Sequence, residues 1–314
     1  MNTLYLLRRA YSYIKVHRNW IDVILGLKRK EMMVVFLRAV HRNNQGMCTL
    51  ECARTIVKLI ANLGLDINKF HFENGNLYYD RNLIVQENEA SVLLSAYGFI
   101  KIGNEWFFPK YNLKFDKRIN KVLFETFVQN QYDTYVQGDV IDIGANIGDS
   151  TIYFAVKGAS HVYAFEPLPS IYEIALKNVE LNNLEDKITL INAGVAYKDG
   201  KIRVPSSIRV EDSGVFSSTI SSQGDVEVPL ISFQKVKEMT KDPYLLKMDC
   251  EGCESDIILN CESLPFEKIF VESHPYITRI SHRKLLLKLK ELKYRCSERS
   301  KSDKVKLFYC YKLN

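Results

Sequence analysis

The stretch Asp142-Ile143-Gly144-Ala145-Asn146-Ile147-Gly148-Asp149-Ser150 ends an apolar run, VIDIG, and opens a helical one. Glycines at 144 and 148 let the backbone turn tightly and approach a ligand. A strand–turn–helix junction of this kind is where open α/β sheets bind nucleotides. The spacing is D-x-G-x-x-x-G, not the dinucleotide G-x-G-x-x-G. Glu166 closes the next apolar run, HVYAFE, where an acid suits hydrogen bonds to ribose hydroxyls. A second group of reactive side chains lies in Lys247-Met248-Asp249-Cys250-Glu251-Gly252-Cys253-Glu254 and in Glu272-Ser273-His274-Pro275. Strand alternation places Lys247, Asp249 and Glu251 on one face if the strand continues that far. Asp249 reads either as a general base or as the salt-bridge partner of Lys247. Lys247 reads more readily as a structural partner than as a catalyst, because a lysine inside a strand must be paired or solvated. Glu254 reads as a residue favouring a helix N-terminus. His274, as a neutral imidazole, suits a general base for a hydroxyl, or is a polar strand end without chemistry. Asp249 and Glu272 are hard oxygen ligands that suit Mg²⁺, a reading not favoured over direct proton transfer.

Two regions position these groups. The spacing of Leu4, Leu7, Tyr11 and Ile14 predicts a helix over 4–14, and helical pattern continues through Trp20–Val40 and Thr49–Leu63. FHFENGNLYYD carries an Asn-Gly pair between aromatic arms and predicts a hairpin, as does GFIKIGNEWFF around Gly103-Asn104. From about Gln137, strands are expected at 140–144, 161–166, 188–195, 245–250, 268–273, 294–297 and 305–311. Helices alternate with them: one from Asp149 to about Val156, one opened by a Ser170-x-x-Glu173 capping box, and one carrying Leu285, Leu286, Leu289 and Leu292. This order implies a doubly wound α/β sheet over 126–314, preceded by a helical and β-ribbon region over 1–125. The Ser- and Gly-rich segment 211–224 is expected to be a loop over the site.

Composition narrows the class. With 314 residues, 46% hydrophobic and 25% charged, the chain is of ordinary globular make-up, not disordered or low-complexity. No run of 18 apolar residues suits a transmembrane helix, and Arg8 and Arg9 break the first apolar stretch before a signal-peptide core forms. Seven cysteines, an odd number, do not suggest a secreted disulfide framework, so a reducing cytoplasm is expected. Cys250-x-x-Cys253 with Cys48 and Cys52 permits a four-thiolate zinc site or a redox pair; small buried thiols are the plainer reading. Residues 1–60 hold 11 Lys/Arg against 3 Asp/Glu, so a peripheral contact with an anionic membrane at the inner face is open, beside simple packing with a solvated basic face. No nucleic-acid recognition motif accompanies the charge, so nucleic acid is not the expected partner.

DIGANIGDS, AFEPLP, LLKMDCEGCE and VESHP together resemble the FkbM family of S-adenosylmethionine-dependent methyltransferases, over roughly residues 125–275. The resemblance implies a class I methyltransferase-like, Rossmann-like fold with S-adenosyl-L-methionine as cofactor. It implies Asp142, Gly144, Asn146 and Gly148, with Ala145 between them, around the methionine part of that cofactor. Glu166 would lie on the ribose, and Asn192 and Ala193 beside the adenine. The family usually has small or branched apolar residues where this chain has Cys250 and Cys253. It also implies an oxygen acceptor, a hydroxyl of a sugar, glycolipid or other small metabolite. Asp249, His274, Lys247 and Glu251 are then the candidate catalytic set. A dinucleotide oxidoreductase is disfavoured by the glycine spacing. A non-catalytic nucleotide- or partner-binding module of the same fold and a nucleic-acid methyltransferase are the alternatives.

Overall fold

Residues 3–26, 32–39, 43–215, 224–299 and 304–313 are described by a computed structural model, in which the chain forms two units, Met1–Phe124 and Glu125–Asn314. In the first unit, helices Thr3–Val16 and Leu50–Ala61 pack together, and Thr49 caps the second by accepting a hydrogen bond from the Cys52 amide. Both predicted hairpins form, and each gains a third strand: Phe70–Glu73, Asn76–Tyr79 and Asn82–Leu83, then Ile100–Ile102, Glu105–Phe108 and Leu113–Asp116. Two readings of this region are corrected. The helical run from Trp20 stops at Leu25, with Gly26 left-handed, and Met33–Phe36 is instead a strand paired with Gln45–Cys48. Met33 and Val35 are buried while Val34 is exposed, the period of two that a short β-branched run adopts in a ribbon. On the first helix the buried positions include Tyr13 and Val16, whereas Tyr11 is exposed. Among the described residues no helix is long and apolar enough to cross a membrane.

The second unit carries the motifs. Its elements are β1 (Asp139–Ile143), α1 (Asp149–Val156), β2 (His161–Phe165), α2 (Pro169–Leu181), β3 (Ile188–Ile191), β4 (Gly194–Ala196), β5 (Gly200–Val204) and β6 (Val226–Ser232). They continue with α3 (Phe233–Glu238), β7 (Pro243–Met248), α4 (Cys253–Asn260), β8 (Lys268–Ser273), α5 (Pro275–Thr278), α6 (His282–Glu291), β9 (Tyr294–Glu298) and β10 (Lys306–Lys312). Seven strands form one sheet in the order β3-β2-β1-β7-β8-β10-β9, parallel except for β10, which runs against both neighbours. Strand order reverses beside β1, so the crevice at the carboxyl ends of β1 and β7 is the place where such sheets take ligands. The run read as one strand over 188–195 divides at Asn192-Ala193. Its second part, β4, joins a separate three-stranded sheet with β6 and β5. The capping box at Ser170 does not form. Pro169 occupies the first helical turn, and Ser170 Oγ accepts a hydrogen bond from the Ile208 amide instead.

Cys250 and Cys253 are not the small buried thiols of the plainer reading, and a second pair of cysteines is joined as well. Cys296 and Cys310 stand directly opposite in the β9–β10 pair and are disulfide-bonded, and Cys250 is bonded to Cys253 across the turn after β7. Cys48, Cys52 and Cys261 are free and buried. The four-thiolate zinc reading therefore lacks two of its thiolates.

The centre of the sheet holds an ion pair. Lys247 in β7 is registered against Asp142 in β1, and its ammonium lies 3.0 Å from Asp142 Oδ1, with both side chains almost wholly buried. Asp142 Oδ2 accepts hydrogen bonds from Ser150 (2.7 Å) and Thr151 (2.6 Å) at the start of α1. Lys247 also donates to the Gly144 carbonyl at 2.6 Å. Burial alone would lower the lysine's pKa, but Asp142, Asp249 and Asp149 around it overcome that and hold it well above its usual range. Lys247→Met leaves a buried carboxylate without its cation, and an expected loss of about 3–5 kcal/mol in unfolding free energy follows, measured by urea denaturation. The Asp142→Asn/Lys247→Met double variant should recover most of that loss. A single variant as stable as the wild-type chain would contradict the assignment.

Candidate active site

The loop after β1 is built by backbone geometry. Gly144 has φ +85°, and a Cβ there would sit 1.8 Å from the Asp249 carbonyl oxygen, so only glycine lets the β1 and β7 ends approach this closely. The Gly144 and Ala145 amides both donate to the Phe165 carbonyl at 3.0 Å, tying the loop to the end of β2. Glu166, 5% exposed, accepts the Asn146 amide on Oε2 and the Leu168 amide on Oε1, each at 2.9 Å. Burial pushes its carboxyl up to about 7, opposed by those two amides and by Lys247, and aided by the Asp142 charge. The Asn192 side-chain amide donates to the Glu166 carbonyl at 2.8 Å and so holds the chain end of β2. Ala193 and Gly194 line an apolar cleft with Gly144, Phe165, Pro167 and Cys250. Ser213, in the polar segment after β5, donates to Asn146 Oδ1 at 3.2 Å.

Beside this loop, acidic groups surround one imidazole. β7 ends at Met248, and Asp249 follows it with its amide on the Ile143 carbonyl. Glu251 lies in the next turn at φ +52°, a sparsely populated conformation for a side-chain-bearing residue. Glu254, fully buried, accepts the Cys250 and Gly252 amides at 2.8 and 2.9 Å and closes that turn. His274, 2% exposed at the end of β8, has Nε2 at 3.2 Å from Glu272 and 3.5 Å from Glu251, with Nδ1 at 3.3 Å from Glu254.

These neighbours push each other's protonation apart. Burial would lower the His274 pKa, but hydrogen bonds to Glu254 and Glu272 push it up to about 12. Burial and the Asp249 charge push Glu272 up to about 8, which favours its protonated form beside an ionised Asp249. Burial would raise Asp249 too, but Lys247, the Glu272 hydrogen bond and His274 keep it below the ordinary range. The Tyr132 hydroxyl faces Asp249 Oδ2 at 3.4 Å. Burial pushes Glu251 up to about 7, with the Tyr276 hydroxyl at 3.4 Å.

Residues 142–296 match the family model of the methyltransferase FkbM domain. The chain carries a methyltransferase FkbM domain. Ribosomal protein L11 methyltransferase of Carboxydothermus hydrogenoformans is 40% identical over 52 residues, 17% of this chain and 17% of that protein. Methyltransferase 1 of Beauveria bassiana is 27% identical over 160 residues, 43% of this chain and 64% of that protein. The chain thus covers less than two thirds of the length of either curated relative. Among solved structures, the methyltransferase FkbM from Methylobacillus flagellatus KT is 17% identical, with a TM-score of 0.39 over 60% of this chain and 48% of that one. M. capricolum TrmK, solved with S-adenosyl-homocysteine, is 18% identical, with a TM-score of 0.37 over 63% and 70%. The FkbM domain has the class I methyltransferase-like, Rossmann-like sheet expected of it.

Within the FkbM domain, three expectations about side chains are corrected. Lys247 pairs with Asp142, because β1 is the strand beside β7, while Asp249 points on into the acidic group. Lys247, Asp249 and Glu251 do not share a strand face, since β7 ends before Asp249. His274, expected as a neutral imidazole, has carboxylates facing both ring nitrogens, which favours its charged form. Tyr132 is brought to Asp249 from a segment without a motif or other sequence signal, whereas Ser213 comes from the 211–224 segment expected over the site, of which residues 216–223 lie outside the described residues. Glu254 does carry a signal, its place in the Glu-Gly-Cys-Glu turn, but its grip on two amides is visible only in three dimensions.

Proposed function

We propose that the FkbM domain transfers a methyl group from S-adenosyl-L-methionine to a hydroxyl oxygen of a small-molecule acceptor, such as a sugar or glycolipid. The observation that carries this reading is the close approach of Gly144 to Asp249, which sets a nucleotide-binding loop directly beside a carboxylate held in its charged form. S-adenosyl-L-methionine supplies a methyl group already activated on its sulfonium. Glu166 has amides on both oxygens yet keeps a lone pair on each for ribose hydroxyls, and Pro167, Ala193 and Gly194 offer an apolar wall for a base. Asp249 accepts the acceptor's hydroxyl proton as the oxygen–methyl bond forms and the carbon–sulfur bond breaks. Protonated Glu272, the His274 imidazolium and the Tyr132 hydroxyl hold Asp249 in place and leave it the group able to take that proton. Lys247 acts through the loop, by pinning the Gly144 carbonyl, and is a positioning residue. The test of the reading is transfer of tritium from methyl-labelled S-adenosyl-L-methionine into a small-molecule cell extract, with mass spectrometry for products heavier by one methylene.

Two expected outcomes follow from these assignments. Asp249→Asn should keep cofactor affinity, measured by calorimetry, and lower tritium transfer by about 10²-fold or more. Normal transfer by the folded variant would remove Asp249 from the chemistry. For Glu166, affinity for S-adenosyl-L-methionine should weaken as pH falls through about 7, because the accepting carboxylate becomes protonated. Glu166→Gln should weaken binding by about 1.5–3 kcal/mol and flatten that pH dependence. Unchanged affinity in the variant would exclude the ribose assignment.

A further inference from the structure

We propose that Asp249, Glu251 and His274 form a binding site for a first-row divalent transition ion, Mn²⁺ or Zn²⁺, in preference to Mg²⁺. Each of the three offers one ligand atom, and these atoms lie within 4.8 Å of one another, close enough to surround a single ion. Their chemistry is mixed, one imidazole nitrogen with carboxylate oxygens. Nitrogen ligation suits first-row transition ions, whereas Mg²⁺ takes oxygen ligands and retains its water.

On the side away from the cluster the ring has a carboxylate at contact distance, where a metal-bound histidine has its partner, without a formed hydrogen bond. Such a histidine donates its remote N–H to a fixed carboxylate, which sets the ring's tautomer and aim. Here Nδ1 faces Glu254 at 3.3 Å. Glu254 cannot turn towards the cluster, since both its oxygens are held by the Cys250 and Gly252 amides. Nε2 is thereby directed at Glu251 and Glu272. The ring is buried, but the Glu251 and Glu272 side chains are 14% and 26% exposed, so the cluster reaches solvent on their side.

Binding displaces the Nε2 proton, so in the loaded site His274 is a neutral ligand and the ion, not the imidazolium, supplies the positive charge beside Asp249. The ion's role rests on the methyl-transfer reading, although its binding does not. It would hold the acceptor's oxygen beside Gly144 and lower that hydroxyl's pKa. A carboxylate that binds an ion through one oxygen keeps the other to take the proton.

The test is titration of the full chain with MnCl₂, by electron paramagnetic resonance and calorimetry, repeated with ZnCl₂ and MgCl₂ and without cofactor or acceptor. The expected result is one Mn²⁺ or Zn²⁺ per chain, with Mg²⁺ at least tenfold weaker. Glu251→Gln and His274→Gln should each weaken binding tenfold or more. Glu254→Gln should weaken it by about 10–100-fold through the ring. Glu251 lies partly at the surface, so its variant carries the test if a His274 variant fails to fold. No ion bound at millimolar concentration, or equal binding by wild type and Glu251→Gln, would overturn the site. Ion binding without any tritium transfer from S-adenosyl-L-methionine would instead count against the methyl-transfer reading and leave the site standing.

Discussion

The buried Asp142–Lys247 pair joins the two strands between which the crevice opens, and both motifs of the FkbM domain are anchored to it. Asp142 takes the hydroxyls of Ser150 and Thr151 and so fixes where α1 begins. Lys247 takes the Gly144 carbonyl and so fixes the loop that precedes that helix. Two charges in a sheet centre are costly unless each is fully satisfied, and here each has partners beyond the other. What the pair contributes is placement. It sets the glycine loop and the Asp249 end of β7 in one register, so that neither can shift without uncovering a buried charge.

The acidic group next to it depends on a different principle. Asp249, Glu251, Glu254 and Glu272 would repel one another if all were charged and unpaired. The structure divides their duties. Glu254 is spent on backbone amides, Glu272 favours its protonated form, and His274 carries positive charge between them. Asp249 is left anionic at the crevice. Titratable groups whose surroundings drive their pKa values apart are the usual means by which one site holds an acid and a base at the same pH.

Much of this was legible in the residues. The Asn-Gly and Gly-Asn turns announced both hairpins, because few residues tolerate the left-handed backbone that such turns need. The alternation of apolar strands with helices from Gln137 onward gave the parallel sheet. The run MMVVF was misread, because a short apolar stretch has the same look in a helix and in a ribbon. Lys247 was read more readily as a structural residue than as a catalyst, with Asp249 as one possible partner; in the sheet it pairs with Asp142. Its true partner depends on which strand lies beside β7, and strand order is a non-local property of the chain. Cys296 and Cys310 meet for the same reason, through the register of β9 and β10. The protonation of His274 could not be read either, since Glu251, Glu254 and Glu272 converge on it only after folding.

The crevice at the carboxyl ends of β1 and β7, bordered by Glu166 at the end of β2, is the proposed site for the nucleoside of a methyl donor. Calorimetric titration of the wild-type chain with S-adenosyl-homocysteine, the demethylated product, tests it without knowledge of the acceptor. The expected result is saturable binding at one site per chain, accompanied by a rise in thermal midpoint. Absence of both heat and thermal shift at millimolar ligand, with the chain folded, would contradict it.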